Sequence, residues 1–257
     1  MKEFRYLRVE EFDPIAVVTL DSPPVNAVSE AMFEEIRELF TYFDELLPET
    51  KAVVLAGSGR HFCAGNDLDE FATLDQTNAP GRLKLVREAF TAVYDCPVPL
   101  IAAIQGMAAG SGVAIAASCD IVVCGESARL ATPEVSVGML GGARHLRRLV
   151  PEQVMRAMYF TSAAVPASRL ADYGGIHEVV PDDQLLDTAL ALARQITVHS
   201  RAALRSAKQS LNAAESMNLK AGYESEQRYI TQLAGHPDSL EARRAVLDRR
   251  PPRSANS

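Results

Sequence analysis

The stretch Cys96-Pro-Val-Pro-Leu100-Ile-Ala-Ala-Ile104-Gln-Gly106-Met-Ala-Ala-Gly110-Ser-Gly112-Val-Ala-Ile-Ala-Ala-Ser-Cys119 contains no charged residue and divides into two kinds of segment. Leu100 to Ile104 is a short apolar run closed by Gly106, the pattern of a central strand. Gly110 to Cys119 is built from small residues and reads as a buried helix. A membrane span competes with this reading, since the stretch is long enough and carries the Gly106-x-x-x-Gly110 spacing. Against a span stand Pro97 and Pro99 at its start, Gln105, Ser111 and Ser118 inside it, and a bulk of Ala and Gly in place of Leu and Phe. A strand followed by a helix accounts for the composition better, and places the chain in the α/β class.

The flanking sequence repeats the alternation. Ile15-Ala-Val-Val-Thr-Leu20 is a strand that ends at Asp21-Ser-Pro-Pro24, where proline removes the ladder donor. From Ser29 a helix is expected, with Met32, Phe33, Ile36, Leu39, Phe40, Phe43, Leu46 and Leu47 at three-and-four spacing. Ala52 to Ala56 is a second strand, Ile121 to Val123 another, and Glu178 to Val180 a further one before Pro181. After Asp182 the pattern turns helical, over Leu185–Val198, Ala202–Ala214, Leu219–Leu233 and Ser239–Leu247. The tail from Arg249 to Ser257 has nothing to bury and is expected to fray. The organisation predicted is a core over 1–195 and a helical module over 196–257, with no internal repeat.

Composition narrows the function classes. The chain has 257 residues, 47% hydrophobic and 23% charged, and a net charge of −7, so it lacks the basic footprint of a nucleic-acid binder. Cys63, Cys96, Cys119 and Cys124 form no C-x-x-C pair and have no adjacent histidine, which argues against a zinc site or a disulfide framework and for a reducing compartment. No apolar leader precedes the first strand. A cytoplasmic protein is the expectation.

The glycine-rich turns fail three familiar tests. Neither Gly57-Ser-Gly59-Arg60 nor Gly110-Ser-Gly112-Val113 supplies the lysine of a phosphate loop. The second also lacks the third glycine of a dinucleotide fingerprint, and Ser111, with glycine on both sides, is no nucleophile elbow. Two strand-to-turn segments remain, Phe62-Cys-Ala-Gly-Asn-Asp-Leu68 and Gly106-Met-Ala-Ala-Gly110-Ser-Gly112. Each can present backbone N–H groups, the second at a helix N-terminus where donors are unsatisfied. Converging, two such donors make an oxyanion hole. On the residues alone, glycines serving only tight turns and close packing stand ahead of that reading.

Four motifs in order carry a resemblance: Pro24-Val-Asn-Ala-Val-Ser29, then Ala64-Gly-Asn-Asp-Leu68, then Ile101-Ala-Ala-Ile-Gln-Gly106 with Gly110-Ser-Gly112 and Ser118-Cys-Asp120, then Thr132-Pro-Glu134. Together they resemble the enoyl-CoA hydratase/isomerase (crotonase) family, from about residue 13 to Arg250. The resemblance implies a spiral of β-β-α units with a helical C-terminal module, homotrimers or dimers of trimers, and acyl-CoA thioester chemistry without a metal or organic cofactor. It places the oxyanion-hole donors at the backbone N–H groups of Asn66 and Ser111. It places substrate or CoA contacts at Ala27, Ala64, Asp67, Leu68 and Gly110, and the catalytic carboxylate at Glu134.

The departures from the family pattern are informative. Where typical hydratases of the family carry a first glutamate, this chain has Ala114, so one of two carboxylates is missing. A single base beside an enolate hole can take a proton from one carbon and return it to another, which moves a C=C bond. A hydratase must also hold and deprotonate water. Isomerisation of a Δ3- to a Δ2-enoyl-CoA is therefore expected. Hydration of an unusual enoyl-CoA is the alternative, followed by a non-catalytic acyl-CoA-binding role and by thioester hydrolysis or C–C cleavage. Asp67 and His145 are the candidates to replace the missing acid, with packing the commoner role for a histidine such as His145. The loop Gly138-Met-Leu-Gly-Gly142 is about three residues shorter than the family pattern and is expected to reshape the acyl pocket. Val98 stands where the family often has a lysine for the CoA phosphates, which leaves Arg60, Lys208, Arg249 and Arg250 as candidate cations.

Overall fold

The computed structural model describes residues 2–250. Strands β1 (Leu7–Phe12) and β2 (Ile15–Leu20) form a hairpin in which Leu7 faces Leu20 and Phe12 faces Ile15. The chain continues through α1 (Glu30–Thr41), α2 (Phe43–Leu46), β3 (Ala52–Gly57), α3 (Leu68–Phe71), α4 (Ala79–Tyr94), β4 (Leu100–Ile104), β5 (Met107–Ala109), α5 (Ser111–Ser118), β6 (Ile121–Gly125) and β7 (Arg129–Ala131). It then forms α6 (Ala143–Leu146), α7 (Glu152–Thr161), β8 (Val165–Pro166), α8 (Ala167–Ala171), β9 (Glu178–Val180), α9 (Leu185–Thr197), α10 (Arg201–Ala214), α11 (Leu219–Ala234) and α12 (Pro237–Leu247). The main sheet has the order β1-β2-β3-β4-β6-β9, parallel from β2 onward, and a second sheet has the order β5-β7-β8.

The central strands β3, β4 and β6 are apolar throughout because both sheet faces are covered. Val18, Leu20, Val53, Leu55, Leu100, Ala102 and Ile104 point into a core shared with α1, α2, α4 and α5. Their neighbours Val17, Val54, Ile101, Ala103 and Val123 point the other way, against Leu185, Ala189 and Ala193 of α9. The uncharged stretch resolves into β4, β5 and the eight-residue α5. No helix among the described residues is long and apolar enough to cross a membrane.

The helix expected from Ser29 to Leu47 is interrupted at Tyr42, which separates α1 from α2. Ser29 is the N-cap of α1, its hydroxyl accepting from the Met32 N–H at 3.2 Å. Sequence reading left out β1, a charged edge strand with only Leu7 fully buried, and α4, α7 and the three strands of the small sheet. Those strands are two or three residues long, too short for a period to show. Of the tail, Arg249 and Arg250 are described, and 251–257 lie outside the described residues.

Candidate active site

The small sheet assembles the site. Ala109 in β5 pairs with Ala131 in β7, and the Gly110 N–H donates to the Ala131 carbonyl at 3.0 Å. Ser111 and Glu134 follow these paired residues by two and three positions, so the register of one short ladder brings them together. On the other side of β5, Cys63 donates to the Met107 carbonyl at 3.1 Å and accepts from the Ala109 N–H at 2.9 Å, which delivers Asn66 to the same place. Asn66 is also bridged to Val28: the Val28 N–H donates to the Gly65 carbonyl at 2.8 Å and the Asp67 N–H to the Val28 carbonyl at 3.0 Å.

In that arrangement the two expected amides are left over. Ser111 opens α5, where an N–H has no intrahelical acceptor, and the bridge to Val28 uses the Gly65 carbonyl and the Asp67 N–H on either side of the Asn66 amide. Neither amide donates to another group among the described residues. The Ser111 hydroxyl donates to Asn66 Oδ1 at 2.5 Å, tying the two residues together through their side chains. Glycine is required beside them. Gly110 has φ +52°, and a Cβ on Gly112 would sit 2.3 Å from the Cys63 carbonyl oxygen, so no larger residue lets α5 approach this strand segment.

Glu134 opens a 3₁₀ turn, Glu134–Val137, that ends at the left-handed Gly138. Its carboxyl lies against Gly110, Gly141 and Gly142, near enough that a Cβ on these glycines would come 3.4, 3.6 and 3.2 Å from Oε1. Oε2 is buried without a hydrogen-bond partner, as is the hydroxyl of Thr132 two residues earlier. Burial raises the Glu134 carboxyl above the ordinary glutamate range. Asn66, Ser111, Ala114 and Glu134 line one cavity of about 130 Å³, walled by Phe33, Phe71, Leu74, Val86, Phe90 and Leu140. Met139 to Gly142 of the shortened loop form part of its wall, with the Gly141 N–H held by the Tyr159 hydroxyl at 2.9 Å.

Ala114 sits one helical turn after Ser111 with no acid in its place. Asp67 lines the same cavity, with its Oδ1 capping α3 by accepting from the Asp69 and Glu70 N–H groups at 2.9 and 3.1 Å. The His145 ring packs edge-on to Phe90 at 5.1 Å outside the cavity lining, and burial, with Arg148 and Arg144 nearby, holds its pKa below the usual value. Of the remaining expected contacts, Gly110 borders the carboxyl, and Ala27 directly precedes the Val28 bridge. Ala64 donates to the Val25 carbonyl at 3.0 Å, and Leu68 is exposed at the start of α3.

Of the candidate CoA cations, Lys208 needs correction. Lys208 is 4% exposed, paired with Asp120 at 2.8 Å and donating to the Val98 carbonyl at 3.1 Å, so it is a buried strut between α10 and the core and unavailable to a phosphate. Arg250 is engaged by Glu241 at 2.6 Å, and neither it, Arg249 nor Arg60 lines the cavity. Sequence reading missed Tyr159 and Arg82, whose places depend on neighbours remote in the chain. Among the described residues no group of three His, Cys, Asp or Glu side chains is placed to hold a metal ion.

Comparisons with known proteins identify the family. A family model described as enoyl-CoA hydratase/isomerase matches residues 10–256. The chain is 38% identical over 225 residues to a (7aS)-7a-methyl-1,5-dioxo-2,3,5,6,7,7a-hexahydro-1H-indene-carboxyl-CoA hydrolase of Mycobacterium tuberculosis, covering 85% of this chain and 89% of the relative. It is 33% identical to a 2,3-dehydroadipyl-CoA hydratase of Escherichia coli, covering 93% and 94%. The solved structure of Pseudomonas aeruginosa DspI superposes with a TM-score of 0.93 at 29% identity, covering 99% of this chain and 98% of that one. With the spiral core, the paired amides and the glutamate behind them in place, the chain belongs to the enoyl-CoA hydratase/isomerase family.

Proposed function

We propose that the protein shifts a C=C bond of an enoyl-CoA through a thioester enolate, with Glu134 as the only proton carrier. The thioester oxygen sits between the Asn66 and Ser111 amides, which take up the negative charge as the enolate forms; each such donor is worth about 2.7–4 kcal/mol in the transition state. Glu134 removes the C2 proton of a Δ3-enoyl thioester, the electron pair delocalises to C4, and the same carboxyl returns the proton there. No atom is gained or lost. The observation that carries the reading is the Glu134 carboxyl, whose Oε2 is buried and unpartnered, facing the same cavity as Ala114, where typical hydratases of the family carry a second acid. Burial raises the pKa of Glu134, which favours the protonated form through which the carboxyl must pass before returning the proton.

A second reading is hydrolysis with C–C cleavage of an oxo-acyl-CoA, favoured by the hydrolase name of the 38%-identical relative. It uses the same hole to hold the enolate that leaves. Incubating a 3-enoyl-CoA, a 2-enoyl-CoA and a cyclic 3-oxoacyl-CoA in D2O, with mass spectrometry of the products, separates the possibilities. Deuterium uptake and a shifted double bond support the isomerase. A gain of D2O across the double bond supports hydration, and ring-opened acid or free CoA supports hydrolysis. Binding with no exchange in any substrate supports a non-catalytic acyl-CoA-binding protein. We also propose a homotrimer or dimer of trimers, held by the helices of 196–257. Leu211, Leu219, Tyr223, Val246 and Leu247 are exposed there, Leu219 at 88% and Val246 at 77%.

A further inference from the structure

The apolar cavity contains one cationic side chain among its described lining residues, Arg82. Arg82, Val86 and Phe90 follow at four-residue spacing along α4 and form one stripe of the wall, about 12 Å from end to end. Three residues hold the guanidinium, Glu70, Thr73 and Glu30. Nη1 donates to the Glu70 carbonyl at 2.8 Å and the Thr73 hydroxyl at 3.0 Å, which anchors one edge to the end of α3. The other edge is loosely engaged: Nε lies 3.8 Å from a Glu30 oxygen and Nη2 lies 3.7 Å from a Glu70 oxygen, both beyond hydrogen-bond length. Glu70 Oε2 is itself fixed by the Glu30 N–H at 2.7 Å. The Arg82 side chain is 21% exposed, so its two free-edge donors stand in the wall with only distant acceptors.

From this geometry we infer that Arg82 selects the acyl group: it donates to a neutral oxygen, a ketone or a hydroxyl, carried on the acyl chain away from the thioester. The substrate class is an oxygenated acyl-CoA. The inference rests on reading this cavity as the acyl site. A plain alkyl chain excludes water from the Nε and Nη2 donors and leaves them only the carboxylates 3.8 and 3.7 Å away, beyond hydrogen-bond length, which is the kind of mismatch that polar pockets reject. A terminal carboxylate is disfavoured for the opposite reason. Glu30 and Glu70 place two negative charges against one guanidinium, so an added anion meets net repulsion. A neutral acceptor fills the loose edge without displacing either carboxylate.

The test measures binding, so that it does not depend on which reaction follows. Dissociation constants are determined by calorimetry for CoA, octanoyl-CoA, the octanoyl-CoAs with an oxo group at C5, C6 or C7, and the corresponding dicarboxylyl-CoA. Wild type, Arg82→Met and Arg82→Lys are compared, with thermal melts to confirm folding. Wild type is expected to bind at least one oxo ester about 10-fold or more tighter than both the alkyl and the dicarboxylyl ester. Arg82→Met abolishes that preference and leaves CoA binding unchanged, and Arg82→Lys, which keeps the charge without the planar fork, retains part of it. The inference is overturned if wild type shows no oxo preference or prefers the carboxylate. It is equally overturned if Arg82→Met weakens every ester and free CoA alike, since Arg82 then serves the CoA phosphates. Deuterium exchange on the same esters keeps the two proposals apart: exchange without oxo preference refutes only the selectivity, and oxo preference without exchange refutes only the enolate chemistry.

Discussion

Replacing Glu134 by glutamine should move activity and stability in opposite directions. Glutamine keeps the shape of the side chain and removes both the base and the desolvated charge. Loss of a sole general base costs about 10² to 10⁴ in rate, or roughly 2.7–5.5 kcal/mol of barrier at 1.36 kcal/mol per decade. The stability change follows from Oε2, which is buried with no partner, and from the raised pKa. An unsatisfied buried polar atom costs about 1–3 kcal/mol. Because the new amide needs partners of its own and the cavity mouth admits water, the gain on substitution is set at about 1 kcal/mol, a rise in Tm of roughly 2–4 °C for a chain of this size. The pH dependence has a definite sign. With its folded pKa above the unfolded value, the folded protein binds more protons than the unfolded chain between the two, so this group's contribution falls as pH rises through that window. The advantage of Glu134→Gln therefore grows as pH rises from the unfolded glutamate value through the higher folded one, and vanishes at acid pH where the carboxyl is protonated in both states. Scanning fluorimetry from pH 4 to 8, beside deuterium exchange at the thioester α-carbon, measures both effects. A variant that exchanges at the wild-type rate, or that melts lower than wild type at neutral pH, would refute the assignment of Glu134 as a strained catalytic base.

The oxyanion donors are main-chain groups, so Ser111→Ala should lose only the tie to Asn66 and lower kcat less than about 10-fold, whereas Ser111→Pro deletes one donor at the first helical position and should lower kcat about 10² to 10³-fold with the circular dichroism unchanged. Lys208→Met strands Asp120 and should cost about 3 kcal/mol, seen as a fall in denaturant midpoint that Asp120→Asn partly restores, while the Kd for CoA stays the same. Gly175→Ala would drive a Cβ to 1.8 Å from the Leu149 carbonyl oxygen and should abolish soluble expression or lower Tm sharply, whereas Gly81→Ala, which meets nothing within 4 Å in α4, should raise stability by about 0.4–1 kcal/mol; equal effects from the two would refute the packing argument.

Much of the scaffold is local information. Runs such as Val53 to Leu55 and Leu100 to Ile104 are apolar at every position because both sheet faces are covered, and that pattern is visible without coordinates. The same holds for the four late helices, and for the glycine turns that carry Asn66 and Ser111. The absence of a second carboxylate is a matter of residue type at Ala114, and needs no structure to read.

Other assignments depend on which distant residue lies opposite, and no window of sequence contains that distance. Glu134 reaches the amides because Ala109 pairs with Ala131, a register set by strands only three residues long. That one Asp67 oxygen caps α3 is seen only in three dimensions, and Lys208 reads as a candidate phosphate ligand until Asp120 and the Val98 carbonyl are seen to enclose it. Arg82 carries no signal as one basic residue in a charged helix, and acquires meaning from Glu30, Glu70 and the apolar wall around it. Burial patterns are periodic along the chain and so can be read from it; the partner of a charge is chosen by the packing of elements far apart in sequence, and only the tertiary structure decides it.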